Sequence, residues 1–136
     1  MKAKILWPLL LVLTFATATT VAAKTYRLTG TELSPAATGE INTNIDRNGN
    51  VEVDLKAEHL AQPTALRSPG EMYVVWFQEP GKPATNQGQL RVNDDLNAEL
   101  KATTPARHFE VIVTAERDVA ATMPSSAVVL RATVQE

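Results

Sequence analysis

The chain has no cysteine, only two histidines, six glycines and seven aromatic residues, and no excess of positive charge. The missing thiols exclude disulfide staples, thiolate catalysis and Cys-ligated metals together. They also exclude a lipid-modified cysteine at an export junction, so a soluble rather than tethered product is expected. No glycine-rich phosphate loop can be assembled from the scattered glycines. Ser34, Ser68, Ser125 and Ser126 lie in loops without a G-x-S-x-G elbow. A catalytic constellation is therefore not expected, nor is any cofactor.

The one long apolar run lies at the N-terminus. Lys2 and Lys4 precede the stretch Ile5–Phe15, and small residues then lead to Val21-Ala22-Ala23. Charge, a short apolar core and a small-residue exit describe a secretory signal peptide. Its apolar part is about half the roughly 20 residues that span a bilayer. Cleavage between Ala23 and Lys24 is expected, giving a signal peptide over 1–23 and one domain over 24–136. Removing Lys2 and Lys4 from the 13 basic residues leaves 11 against 15 acidic. That mildly acidic balance argues against nucleic acid or an anionic membrane as partner. A periplasmic or secreted location follows, with no stable membrane span.

The remainder reads as a train of short strands, because apolar and polar residues alternate along almost all of it. Ile41, Thr43 and Ile45 alternate with polar neighbours, as do Val51, Val53, Leu55 and Ala57 beyond Arg47-Asn48-Gly49-Asn50. Asn48-Gly49 predicts a hairpin over about 40–57 with a type I′ turn. Further strands are expected at Met72–Gln78, Gln87–Val92, Leu96–Lys101, His108–Glu116 and Val128–Val134. An edge strand through Tyr26 and Leu28 is expected to end near Gly30. Helical turns are expected around Ala57–Ala61 and Asp118–Thr122. Seven or eight such strands predict a two-sheet antiparallel immunoglobulin-like β-sandwich, with a small closed barrel as the alternative.

The strand Met72–Gln78 is apolar on both faces, so its Val74 and Trp76 side needs either a covering loop or a partner. The candidate binding surface is the strand around Trp76 together with Lys82 and Asn86 in the loop Pro80–Asn86 and Arg117 in the loop Arg117–Ser126, since loops on a rigid frame carry recognition. His59 and His108 would serve a periplasmic metal-handling protein only if the fold brought them together. Asp46, Asn48, Asn50 and Glu52 faintly echo a calcium loop but are explained as a turn. Asp94-Asp95 is likewise read as a turn. A carbohydrate-binding or adhesion role would need exposed aromatics, and only five lie beyond the leader.

Tyr73-Val74-Val75-Trp76-Phe77, Gly88-Gln89-Leu90-Arg91-Val92, and Phe109 to Glu116 with Pro124 ahead of Val128-Val129-Leu130 resemble the extracytoplasmic C-terminal domain of anti-sigma-K factors. The resemblance covers about 70–134 and implies an extracytoplasmic β-sandwich. Only 23 residues precede the domain, so the family's sigma-binding segment is expected to be missing and control of transcription does not carry over. The resemblance brings no catalytic residues. The sequence thus points to an exported, non-catalytic binding module whose partner is an envelope protein or a glycan.

Overall fold

The computed structural model describes residues 23–67 and 70–136, with the isolated Ala16. The expected leader, apart from Ala16 and Ala23, lies outside the described residues. Eight antiparallel strands follow: β1 Lys24–Gly30, β2 Thr38–Ile45, β3 Val51–Glu58, β4 Met72–Gln78, β5 Thr85–Leu90, β6 Ala98–Thr104, β7 His108–Glu116 and β8 Val128–Gln135. Their spatial order is β5-β4-β7-β8-β1-β2-β3-β6, one rolled and nearly closed sheet. The expected division into two separate sheets is not what the pairing gives. Alternation shows which residues face inward, but it carries no information about which strands lie side by side.

The strand β1 makes the sheet continuous. Expected at an edge, it lies in the interior, pairing with β2 along Lys24–Thr29 and with β8 at Thr29↔Arg131 and Gly30↔Leu130. Gly30 permits the tight exit, since a Cβ there would lie 2.5 Å from the Ser34 carbonyl oxygen and 2.6 Å from that of Ala37. Toward Lys24 no β1–β8 ladder forms, and side chains bridge the opening instead. Tyr26 donates to the Gln135 carbonyl at 2.5 Å, and Lys24 donates to the same oxygen at 3.2 Å. Glu136 accepts a hydrogen bond from Thr43 and lies 3.5 Å from the Lys24 ammonium. Burial pushes the Glu136 carboxyl up, but the bonds from Thr43 and Tyr26 and the Lys24 charge outweigh it and hold the group below its ordinary value.

One core fills the roll. Tyr73, Val75 and Phe77 of β4 and Phe109, Val111 and Val113 of β7 meet Leu28, Ile41, Val53 and Leu55 from the other half. The Phe77 and Phe109 rings pack with centroids 4.8 Å apart. Tyr73 also ties down the crossover after β3, donating to the Ala61 carbonyl at 2.6 Å, and burial pushes its phenol up to about 12. The only helical turn among the described residues is Pro63–Ala65. Ala57 instead lies within β3, which ends at Glu58, and Asp118–Ala121 forms a plain turn.

Both polar hairpins use the same device. Asp46 Oδ1 accepts from the Asn48 and Asn50 amides at 2.8 and 2.9 Å, and Gly49 N donates to the Asp46 carbonyl at 3.0 Å. Of these residues only Gly49 has positive φ, at 81°, so the turn is type I with a glycine bulge rather than type I′. The Asn50 amide above all holds the Asp46 carboxyl below its usual range. Between Val92 and Ala98, Asn93 plays the Asp46 part, its Oδ1 accepting from Asp95 and Asn97 at 3.0 and 2.9 Å. Leu96 then occupies the Gly49 place with φ of 61°, a left-handed conformation that its Cβ opposes.

Two consequences can be measured. Leu96→Gly should raise stability by about 1 kcal/mol, the left-handed strain relieved less the added entropy of glycine in the unfolded chain. An unchanged or lower urea midpoint would contradict that account. For Glu136, whose folded value is lowered, the stabilisation is complete above the ordinary value of 4.5 and fades as pH falls through the folded value. Urea midpoints recorded between neutral and acid pH should therefore fall less steeply for Glu136→Gln than for the parent.

Candidate functional site

Strand β4 carries apolar side chains on both faces, so its second face must also be covered. On that face Val74, Trp76 and Ile112 form a second apolar cluster, separate from the main core and packed by Ala84, Ala121 and Val128. The cover comes from the two loops that the sequence singled out. Trp76 is therefore not a surface residue: it is 0% exposed, and the core reading of this tryptophan holds.

A relay of hydrogen bonds fixes the tryptophan beneath its cover. Trp76 Nε1 donates to Thr114 Oγ1 at 2.8 Å, and Thr114 donates to Glu116 Oε1 at 2.6 Å. The same carboxylate oxygen accepts the Ser125 amide at 2.7 Å. Ser125 Oγ donates to the Ala115 carbonyl at 2.9 Å, clamping the start of the return into β8. Thr114 and Glu116 are buried polar residues on a strand, tolerable only because these partners satisfy them. A bulge between Val113 and Thr114 places Thr114 opposite Val128 and Val113 opposite Leu130. Val128 thereby joins the Trp76 cluster while Val129 enters the main core.

Asn86 joins the two loops. Its Nδ2 donates to the carbonyls of Val119 and Ala121 at 2.8 and 3.0 Å, and its Oδ1 accepts the Gly88 amide at 2.8 Å. A bulge between Val75 and Trp76 sets this up by pairing Val75 with Gly88 and Trp76 with Asn86, leaving Gln87 over. The structure thus brings Trp76, Asn86 and the loop after Arg117 into one place. Arg117 is exposed and lines a cavity of about 390 Å³ with Glu116, Asp118 and Ser125. Lys82 sits in the exposed β4–β5 turn, paired with Glu79 at 3.1 Å.

The sequence reading missed the apolar tips of this lid. Val119 is 43% exposed and Met123 76%, and with Leu96 they are the exposed large hydrophobic residues among those described. Both stand within the predicted loop, but nothing in its local pattern showed that they point outward.

The other candidates do not converge. His108 pairs with Gln135 at the Lys24 end of the sheet, whereas His59 follows Glu58 at the opposite end, beside Thr38. The intervening strand length is roughly 16 Å at about 3.3 Å per residue, so the two imidazoles cannot share one metal. Among the described residues no three His, Cys, Asp or Glu side chains are grouped as metal ligands. Asp46 serves the turn described above, and Asp94-Asp95 form the tip of the second hairpin. Ala23 and Lys24 are exposed at the start of β1. Every aromatic residue among those described is buried or half-buried, so no aromatic platform for a sugar ring is presented. No described helix is long and apolar enough to cross a membrane.

No protein-family model matches the chain, and no curated protein matches it.

Trp76→Ala should cost about 3–5 kcal/mol through the cavity it leaves. Thr114→Val should cost less, roughly 1–3 kcal/mol, because Trp76 Nε1 and Glu116 lose a partner while the volume is kept. Denaturant unfolding of both variants gives the comparison. A Trp76→Ala protein that unfolds at the parental midpoint would overturn the buried assignment.

Proposed function

We propose that this protein is an exported, non-catalytic binding module of the cell envelope, periplasmic or secreted, which holds a protein partner through the lid over Trp76. The observation that carries this reading is the display of Val119 and Met123 in solvent on a loop anchored from below by a buried relay. Exposed apolar side chains contribute little to folding, whereas apolar side chains held on a firm mount are suited to becoming an interface centre. Methionine adapts readily to an opposing surface, and exposed Arg117 on the same loop adds a positive charge.

Two further observations support the non-catalytic part. The Ser125 hydroxyl donates to a backbone carbonyl, and the two histidines stand at opposite ends of the sheet. We also read the domain as related to the extracytoplasmic domain of anti-sigma-K factors. In support, the segments that carry that resemblance fall in β5, β4, β7 and β8, a contiguous half of the sheet. On the same reading the two four-stranded halves serve as the layers of an immunoglobulin-like sandwich. What favours this is their face-to-face core and a direct ladder between them of only two residue pairs.

The test is site-specific photocrosslinking in living cells. A crosslinker at Met123 should capture a discrete partner, and one at exposed Thr133 on β8 should not. Adding Val119→Ser to a protein with its crosslinker at Arg117 should lower the yield at least tenfold without lowering the melting temperature. Equal labelling from positions 123 and 133 would defeat the proposal.

A further inference from the structure

The lid displays one group of distinct chemistry. Met123 is 76% exposed, whereas Met72, at the start of β4, is half-buried. The chain on both sides of Met123 is pinned. The Ala121 carbonyl accepts from Asn86 at 3.0 Å, and the Ser125 amide donates to Glu116 at 2.7 Å. Pro124 follows directly and restricts the backbone of Met123 itself to extended conformations. These restraints use backbone groups and polar side chains, not the thioether, which is left in solvent on a held backbone.

Composition makes this sulfur the first target for a two-electron oxidant. The chain has no cysteine, so no thiol competes for a peroxide. Among the described residues the one indole, Trp76, is fully buried. The Met123 sulfur can attack one oxygen of a peroxide, forming an S–O bond as the O–O bond breaks, and the sulfur gives up two electrons. The transferred oxygen passes its proton to the departing hydroxide, so the products are methionine sulfoxide and water. Reversal by a sulfoxide reductase takes two thiols, which become a disulfide while the oxygen leaves as water.

We infer that Met123 is a modification site for peroxide, and that its sulfoxide releases the partner held at the lid. This rests on the lid reading above and supplies its control. Oxidation puts a polar S=O group where an apolar side chain met the partner, on the same loop as Val119. A floppy loop could turn that oxygen away into solvent, but the pinned flanks keep it within the contact. At 76% exposure the added oxygen buries no polar group inside the domain, so the fold keeps its stability while the surface changes character.

The test has two readouts on the full chain. Peptide mass mapping along a hydrogen peroxide series should show the one-oxygen gain at Met123 at least tenfold faster than at Met72, with the melting temperature unchanged. Equal rates at the two methionines, or unfolding in step with Met123 oxidation, would overturn the site. In cells carrying the crosslinker at Arg117, peroxide given before irradiation should lower capture at least fivefold, in the parent and in Met72→Leu alike. In Met123→Leu, whatever its starting yield, the same dose should change capture less than twofold. A peroxide loss that persists in Met123→Leu, or capture that survives full oxidation of Met123, would overturn the release. Mass mapping needs no partner, and failure of the lid reading shows separately, as no capture before any peroxide is added.

Discussion

Everything in this fold depends on a single sheet burying one of its faces against itself. Without cysteine, the described domain has no covalent staple to help, and burial must outweigh the chain entropy on its own. Strand β1 is where that constraint is met. It pairs fully with β2 but catches β8 at only two positions, so the halves join at one end and splay at the other. The splayed end is filled by Tyr26, Thr43, Lys24 and Glu136, and the roll closes around Tyr73, Phe77 and Phe109.

The two outer faces solve the opposite problem in different ways. Behind β4 and β7 the outward residues are apolar, and water is excluded by two loops held with Asn86, Glu116 and Ser125. Behind β2, β3 and β6 the outward residues are mostly polar, and no apolar cluster forms there among the described residues. A covered apolar face can carry a rigid loop that presents hydrophobic tips. A polar face can only offer hydrogen bonds. The first of these properties is the one on which the proposed protein partner at the lid rests.

Much of the strand set was legible because period-two alternation is a local property. Met72–Gln78 and His108–Glu116 have the observed bounds of β4 and β7, and the first hairpin is misplaced only at its ends. The double-sided hydrophobicity around Trp76 also announced a covered face. The turn type was misread because the Asp46 carboxylate, two residues before the Asn-Gly pair, captures two amides and selects the bulged turn. The second use of that turn was hidden, since Leu96 stands where glycine would be expected.

By itself, then, the sequence determined the all-β composition, most strand positions, the inward-facing residues and the loops worth watching. These follow from alternation, turn chemistry and the absence of cysteine, all of which act over a few residues. Tertiary structure alone decided that β1 lies inside the sheet, that Asn86 meets the carbonyls of Val119 and Ala121, and that Asp54 is left without a donor. Such facts depend on which strands become neighbours. That choice is made by the packing of the whole roll, and no local pattern encodes it.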